Sequence, residues 1–528
     1  MTSRYRWWFL PRSDREFPRR WTDWLRFAVA VLVVLIAATG VALREPLHRA
    51  FSCGSVFDTA AWSAGGECVG LSDGSYDFGL GAFTPVLRTI ERQNAAAADK
   101  CDPNGTPMTV GVLVTLTDRY TGGRALHELE GMAAGQRHAN DTGCLHPMRL
   151  VVAHIGAYGP DNEAVEVARE LAGAPDVVAV AGLGLSQQRS AVVADLLAEA
   201  KIPMVADLIT AEGFDQTGSR DDQPDFRSCD VDITYPHGVG KDYYYRVAYR
   251  NAAQIDQLAS VLPGRADFIM VPTGGSDPYT CTALPMMQRR FGGKITEVKF
   301  DADEASTVPL TAQRICGLAK DVTVLYIARG SDLARLLFSV DEAFTGGRCA
   351  ATSITVASTS DGQRVRAPED NAMLEDLRLR ALRSPSFADG RIRLISTLVA
   401  GADRSRGTNP GFADLERAFT EAGFDLAHLD DGWAVNAYDS ITTISAAART
   451  LPTPKPVQRS QINTAISGFS TAGQAVAGAG GPITFDNSGN RANAGPPVVR
   501  VCPLRPATGD RPARTTSVVL QPGGAATC

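Results

Sequence analysis

The sequence lacks the motifs by which many enzymes hold phosphates, dinucleotides or catalytic zinc. No Walker A loop occurs, and Gly182-Leu183-Gly184 is without the third glycine of a dinucleotide-binding loop. His127-Glu128 begins the zinc-protease pattern H-E-x-x-H, but the second histidine is missing. Because these patterns do not combine a nucleophile with a base and an orienting group, we expect a protein that is not an enzyme and has no cofactor.

The sequence also has no excess of basic residues and no cysteine or histidine spacing typical of a zinc site. The 528-residue chain has a formal net charge of -6, whereas a nucleic-acid-binding face needs an excess of Lys and Arg. Its ten cysteines include no C-x-x-C pair, and the seven histidines do not cluster near them. We therefore expect neither nucleic acid as a partner nor a metal site.

All ten cysteines follow residue 50, which predicts disulfides in an oxidising compartment. Connectivity does not follow from sequence alone, and buried free thiols are the alternative. Sequential pairing is the arrangement that we predict. The pairs would be Cys53–Cys68, Cys101–Cys144, Cys229–Cys281, Cys316–Cys349 and Cys502–Cys528.

One apolar run without charged residues, Phe27–Leu43, is close to the length needed to cross a bilayer. Arginines are frequent before this run, and only Arg44 and Arg49 follow it closely. The positive-inside rule therefore predicts a single-pass protein of the cell membrane, with residues 1–26 in the cytoplasm and the main domain outside. The alternative is a cleavable signal peptide, and both interpretations place most of the chain outside the cytoplasm.

Residues 44–106 form a Gly- and Ala-rich juxtamembrane region with one predicted helix, Phe83–Ala97. From residue 107, short β-branched runs alternate with amphipathic helical segments, which is typical of parallel sheets with crossover helices. A polar, acidic insertion, roughly Glu212–Gly240, interrupts the first of two such series. Because extended segments join the two series, we predict two doubly wound α/β/α lobes. The predicted strands are Met108–Leu116, Met148–His154, Val177–Leu183, Ile202–Ala206, Tyr243–Tyr249, Asp267–Val271, Ile295–Phe300, Val322–Ile327, Ser353–Ala357, Ile392–Leu398 and Pro496–Val501.

Several stretches between about residues 107 and 502 resemble a known family in their order and spacing. They are Val110–Asp118 (VGVLVTLTD), Gly131–Asn140 (GMAAGQRHAN), Ala181–Gln188 (AGLGLSQQ), Ile202–Ala206 (IPMVA), Trp433–Ala448 (WAVNAYDSITTISAAA) and Gly481–Arg491 (GPITFDNSGNR). Together they resemble the branched-chain amino-acid-binding (Leu/Ile/Val) solute-binding proteins of ABC transporters, which have the type I periplasmic-binding fold. The juxtamembrane region, the acidic insertion and the longer tail depart from that family.

The resemblance implies two lobes between which the chain crosses three times. We place lobe I at 107–250 and 395–455, lobe II at 251–394 and 456–510, and a tail at 511–528. Ligands of such sheets bind outside the carboxyl ends of the strands, and in this fold those ends face each other across a cleft.

Two hydroxyl residues of lobe I are candidates for the cleft. Ser186 lies between a predicted strand and a predicted helix, where an N-cap and exposed N–H groups would suit an anion. The resemblance implies that this junction holds the ligand's carboxylate, with Thr210 supplying a further hydroxyl. A plain helix cap and a plain loop threonine are the alternatives.

Four residues of lobe II follow predicted strands and complete the candidate set. The resemblance places Tyr279 at the aromatic position of the cleft, and Ser331 and Asp361 lie at the next two strand ends. An aromatic face or an acid suits a ligand's ammonium group, although the family's usual acid is a Glu. Arg329 at the same rim would instead favour an anionic solute. Turn-forming or solvated roles are the alternative for these residues.

These features predict a membrane-anchored, extracytoplasmic solute-binding protein of an ABC-type importer. Its lobes would close by a hinge on an amino acid or a similar small polar solute. The expected protein partner is an ABC permease. The alternative is a ligand-sensing ectodomain that signals through a membrane partner, and an enzyme on the same scaffold is the third class.

Overall fold

The computed structural model describes the chain in segments. These are residues 21–42, 53, 60–99, 107–118, 121–141, 145–158, 163–217, 239–262, 264–273, 277–301, 304, 306–369, 371–401, 409–452, 456–492, 495–506, 513–522 and 527–528.

Lobe I is built on a seven-stranded sheet with the spatial order β1-β2-β4-β3-β5-β6-β7. Its strands are β1 (Ala61–Ala64), β2 (Glu67–Ser72), β3 (Met108–Val114), β4 (Met148–His154), β5 (Val177–Gly182), β6 (Met204–Ala206) and β7 (Tyr244–Arg246). Strands β3 to β7 are parallel, whereas β1 and β2 add an antiparallel edge. The parallel strands are almost wholly buried because helices cover both faces.

The helices of lobe I separate into two layers around that sheet. Its helices are α2 (Thr84–Asp99), α3 (Arg124–Asp141), α4 (Glu163–Gly173), α5 (Gln188–Glu199), α12 (Pro410–Ala422), α13 (Trp433–Arg449) and α14 (Arg459–Ser467). Apolar side chains of α2, α3, α13 and α14 fill the core on one face, and those of α4 and α5 fill the core on the other. Gly131 allows α3 to approach α13 closely, since a Cβ there would lie 2.2 Å from the carbonyl oxygen of Ala434.

Lobe II has a second seven-stranded sheet, in the order β16-β15-β12-β11-β10-β8-β9. Its strands are β8 (Phe268–Pro272), β9 (Thr296–Phe300), β10 (Asp321–Tyr326), β11 (Ser353–Ser358), β12 (Ile392–Thr397), β15 (Val498–Val501) and β16 (Ser517–Val519). Its helices are α6 (Asn251–Val261), α7 (Pro278–Phe291), α8 (Thr307–Ile315), α9 (Leu333–Thr345), α10 (Ala372–Arg383) and α11 (Pro385–Ala388). Apolar cores again lie on both faces of the sheet, so each lobe has the expected α/β/α layering.

The chain crosses between the lobes after β7, after β12 and before β15. Two segments therefore lie elsewhere than predicted. Strand β12 pairs with β11 and β15, so the second crossing follows Thr397 instead of preceding residue 395. Residues 456–492 pack on lobe I through α14 and through the hairpin of β13 (Val476–Gly478) and β14 (Gly481–Ile483).

The region predicted as juxtamembrane is partly integrated into lobe I. Strands β1 and β2 extend the first sheet, and α2 packs on its core through Val86, Leu87 and Ile90. The sequence analysis did not predict β1 and β2. They are short edge strands that contain Gly, Ala and Ser, so a search for β-branched runs does not find them.

Helix α1 (Trp21–Ala42) contains most of the predicted transmembrane run. Across the portion of the chain that the structure describes, no helix is both long and apolar enough to cross a membrane. The membrane span at 27–43 stays a prediction from the sequence.

Three predicted disulfides are confirmed. Cys53–Cys68, Cys316–Cys349 and Cys502–Cys528 are bonded. Cys281 is also disulfide-bonded. The remaining cysteines of the predicted pairs, at positions 101, 144 and 229, lie outside the described residues.

Candidate functional site

The carboxyl ends of the parallel strands of both lobes meet at one cavity. Lobe I contributes loops that follow β5 and β6, and lobe II contributes loops that follow β10 and β11. The cavity is lined by Leu185, Asp207, Leu208, Thr210, Ala248, Arg329, Ser360, Asp361, Val399, Trp433 and Asn436. Its volume is about 30 Å³, which holds roughly two water molecules. In this conformation the cavity is therefore too small for a whole amino acid.

Ser186 is buried between the loops of lobe I, but it is not the cap of the following helix. Helix α5 begins at Gln188, and its N-cap is Gln187. The Ser186 hydroxyl oxygen instead accepts hydrogen bonds from the backbone N–H groups of Thr210 (3.1 Å) and Ala211 (3.2 Å). The predicted capping role is therefore wrong, because this side chain turns toward the loop after β6 and ties the two loops together.

Arg329 reaches from lobe II to lobe I and is held by several groups. Its Nη2 lies 2.8 Å from Oδ1 of Asp277 and donates to the backbone carbonyl of Ser186 at 3.2 Å. Its guanidinium carbon also lies 5.2 Å from the centre of the Tyr279 ring. Burial works against the charge of Arg329, but Asp277 and then Asp361 raise its pKa, so it stays cationic.

Tyr279 and Asp361 lie behind this cation. The Tyr279 hydroxyl is hydrogen-bonded to that of Thr359, and Tyr279 itself is buried. Burial raises the pKa of Asp361, while Arg329 and the Tyr279 hydroxyl act in the opposite direction. Asp361 lines the cavity, whereas the face of Tyr279 is covered by Arg329.

The structure thus brings five of the six predicted residues to one place, with different access to the cavity. Thr210, Arg329 and Asp361 line it, and Ser186 contacts Thr210 from behind. Tyr279 lies one layer deeper, under Arg329. The backbone of Ser331 belongs to a short 3-10 helix, Gly330–Asp332, and its side chain lies outside the described part of the structure.

Three polar residues of the site were missed. Asp207 and Asn436 line the cavity, and Glu128 on α3 lies behind Asp207. Asp207 directly follows β6, so the strand-end rule applied to Ser186 would also have found it. Glu128 and Asn436 carry no comparable signal, because both lie inside helices that periodicity assigns to the core.

One further sequence pattern is typical of serine hydrolases, but in this structure it forms a turn. Gly70-Leu71-Ser72-Asp73-Gly74 has the spacing of a nucleophilic-serine elbow. The Ser72 hydroxyl donates to the carbonyl of Tyr76 at 2.8 Å and accepts from the N–H groups of Gly74 and Tyr76. These bonds use the hydroxyl to close a tight turn after β2, so the pattern serves local structure.

Contacts between the lobes continue beside the cavity. Arg124, at the start of α3, makes two hydrogen bonds of 3.0 Å to the carboxylate of Glu369 in lobe II. Arg364 approaches the same carboxylate at 3.3 Å. Although burial raises the pKa of Glu369, Arg124 and Arg364 lower it to about 2.

Comparisons with known proteins agree on the fold. No protein-family model and no curated protein sequence matches the chain. Among solved structures, it is similar to the branched-chain amino acid transporter substrate-binding protein LivJ from Streptococcus pneumoniae in complex with isoleucine. The two are 13% identical with a TM-score of 0.53, over 78% of this chain and 100% of that one.

Two other solved structures are similar over nearly their whole length. A solute-binding protein of an ABC transporter from R. palustris in complex with 4-hydroxybenzoate is 16% identical, with a TM-score of 0.54 over 79% of this chain and 97% of that chain. A possible leucine/isoleucine/valine-binding protein from Rhodopirellula baltica is 12% identical, with a TM-score of 0.53 and the same coverage. The chain therefore has the two-lobed type I periplasmic-binding fold that these substrate-binding proteins have.

Proposed function

We propose that this chain is an extracytoplasmic solute-binding protein that delivers a small polar molecule to an ABC-type importer. One observation carries the proposal: polar side chains from the strand ends of both lobes line a single cavity between them. Thr210 and Asp207 come from lobe I, and Arg329 and Asp361 come from lobe II. A site divided in this way is complete only when the lobes close, so ligand binding and closure are coupled.

The mechanism that we propose is hinged closure about the three crossings. Arg329 to Ser186 and Arg124 to Glu369 are contacts between lobes, and an open form would lose them. To move a mostly open population to a mostly closed one, a ligand must favour the closed state by about 5.5 kcal/mol. The permease would then recognise the closed form.

The ligands of solved structures with the same fold indicate which classes of solute to test first. Their ligands include isoleucine and 4-hydroxybenzoate, so amino acids and aromatic acids are the first candidates. A thermal-shift screen of the full-length protein against amino acids, benzoates, sugars and inorganic anions tests the proposal. A ligand at a hundredfold its Kd should stabilise the protein by about 2.7 kcal/mol.

A matched pair of variants assigns the binding to the cavity. Asp361→Asn should lower the affinity of a ligand found in the screen, because Asp361 lines the cavity. Asp376→Asn should leave it unchanged, since the Asp376 side chain on α10 is 65% exposed and does not line the cavity. If no small solute shifts the melting temperature, the proposed function is wrong.

The location is part of the proposal. The disulfides support an oxidising compartment outside the cytoplasm. Attachment to the cell membrane stays a prediction from the arginine-rich and apolar N-terminal sequence. Labelling of surface-accessible protein on intact cells tests the first statement, and extraction of membranes with alkaline carbonate tests the second.

A further inference from the structure

The lobe I wall of the cavity contains buried hydrogen-bond acceptors that the protein satisfies poorly. Among the described residues no donor makes a well-aligned hydrogen bond to either carboxylate oxygen of Asp207 or to Oδ1 of Asn436, although the Glu128 carboxyl and the backbone of Leu208 interact with the Asp207 carboxyl. Both side chains are 0% exposed. The amide nitrogen of Asn436 is used, since it donates to the backbone carbonyl of Asp207 at 3.0 Å. Because buried acceptors cost free energy unless a donor reaches them, this wall is suited to a group that brings N–H donors.

Glu128 increases the negative character of the same wall. It is wholly buried on α3, its two carboxylate oxygens also lack a well-aligned donor among the described residues, and it lies beside Asp207. Burial raises the pKa of both carboxyls, and the neighbouring carboxyl raises that of Glu128 further. The closeness of these two buried carboxyls favours a proton shared between them.

The groups that would attract an anion are already engaged. Arg329 is paired with Asp277 at 2.8 Å and also interacts with Asp361. The hydroxyl oxygen of Ser186 accepts from two backbone N–H groups. Two acidic side chains, Asp207 and Asp361, line the cavity together with one cation, Arg329, whose charge is compensated by Asp277. The balance of charge therefore favours a positively charged group in the cavity.

We propose that the cleft recognises solutes by a cationic amine, and that Asp207 on lobe I is the carboxylate that receives it. Asn436 Oδ1 accepts a second N–H of the ammonium, Glu128 holds the shared proton behind Asp207, and Asp361 supplies negative charge from lobe II. The volume of about 30 Å³ matches a small head group such as an ammonium. The proposal rests on the proposed function of the same cleft and names its ligand class.

Three probes with the same branched alkyl chain test the proposal on the full-length protein by calorimetry. They are leucine, 3-methylbutylamine, which is leucine without its carboxylate, and 4-methylpentanoate, which is leucine without its amine. We expect the amine to bind, and the acid to bind at least tenfold more weakly. Asp207→Asn should weaken the amine at least tenfold, because a charge-assisted bond becomes a neutral one.

A matched variant separates binding from folding. Asp439 on α13 is also buried and carboxylic, but its oxygens accept backbone N–H groups, including that of Gly480 at 3.0 Å, and it does not line the cavity. Asp439→Asn should lower the melting temperature and leave amine affinity within twofold. Asp207→Asn should not lower the melting temperature, since it removes the charge of a buried carboxyl whose pKa burial has raised.

The outcomes distinguish this inference from the proposed function. Binding of 4-methylpentanoate without binding of 3-methylbutylamine overturns the amine proposal alone, and so does an Asp207→Asn variant with unchanged amine affinity. Binding of only anionic or uncharged solutes in the wider screen has the same consequence. If neither the three probes nor any solute of the screen binds, both the amine proposal and the proposed function fall.

Discussion

The two walls of the cleft differ in how their charges are satisfied. On lobe II, Arg329 is held by Asp277, by a backbone carbonyl of lobe I and by the ring of Tyr279. On lobe I, Asp207, Glu128 and Asn436 present buried acceptors without well-aligned donors among the described residues. A paired wall contributes to the stability of the closed form, whereas an unpaired wall lowers it until a ligand supplies the missing donors. Under the proposed function, lobe II would hold the cleft closed and lobe I would recognise the solute.

The largest effect is expected from breaking the paired wall. Arg329→Ala leaves the carboxylate of Asp277 without its cation and removes one of two cations near Asp361, the other being Arg364. Removing one partner of a buried pair costs about 3–5 kcal/mol. Urea denaturation of the full-length protein measures the loss. Arg329→Lys should lose less, because the charge remains. An Arg329→Ala variant as stable as the parent would show that the wall is not held by this cation.

Loosening the contact between the lobes should have the next largest effect. Glu369→Gln removes the charge that faces Arg124 and Arg364, and we expect a loss of about 2–3 kcal/mol from the closed state. Small-angle scattering should show a larger radius of gyration, and ligand affinity should fall. Glu170→Gln, at an exposed position of α4 on lobe I, is the surface control. Unchanged scattering in Glu369→Gln would mean that this ion pair does not hold the lobes together.

Neutralising the unpaired wall should stabilise the protein. Because the pKa values of Asp207 and Glu128 are raised in the folded state, the folded protein binds more protons than the unfolded chain above about pH 4. Stability should therefore fall as the pH rises from about 4 through the raised pKa of Asp207. Glu128→Gln should flatten this decline and gain about 1–2 kcal/mol at neutral pH. Melting temperatures from pH 4 to 8 measure both, and a parent whose stability rises across this range would contradict the assignment.

The smallest effect is expected at Ser186. Ser186→Ala leaves the N–H groups of Thr210 and Ala211 without their acceptor, at a cost of about 1 kcal/mol. Ligand affinity should change by less than threefold, because the hydroxyl is used by the loops. Calorimetry with a ligand from the screen measures the affinity. A tenfold loss would restore Ser186 to the ligand site that the family resemblance implies.

Strand and helix positions were predictable because they depend on local patterns. Strand β4 has the bounds that its β-branched run indicates, and α13 begins at the predicted Trp433. Helices α10 and α14 were missed, because their polar sequences have weak periodicity. The lobe assignment of residues 456–492 failed for another reason: which sheet a segment joins depends on distant partners such as the contact between Arg246 and Asn490.

The sequence by itself determined which loops form the candidate site. Strand ends meet at the edge of a parallel sheet, so Thr210, Arg329 and Asp361 could be predicted from β-strand order. Only the tertiary structure decided which side chains remain available to a ligand. Arg329, Ser186 and Tyr279 are engaged by residues between 24 and 143 positions away, whereas Asp207 and Asn436, from different segments, share an unpaired wall. Hydrogen-bond satisfaction is a property of the packed interior, and no local pattern in the sequence encodes it.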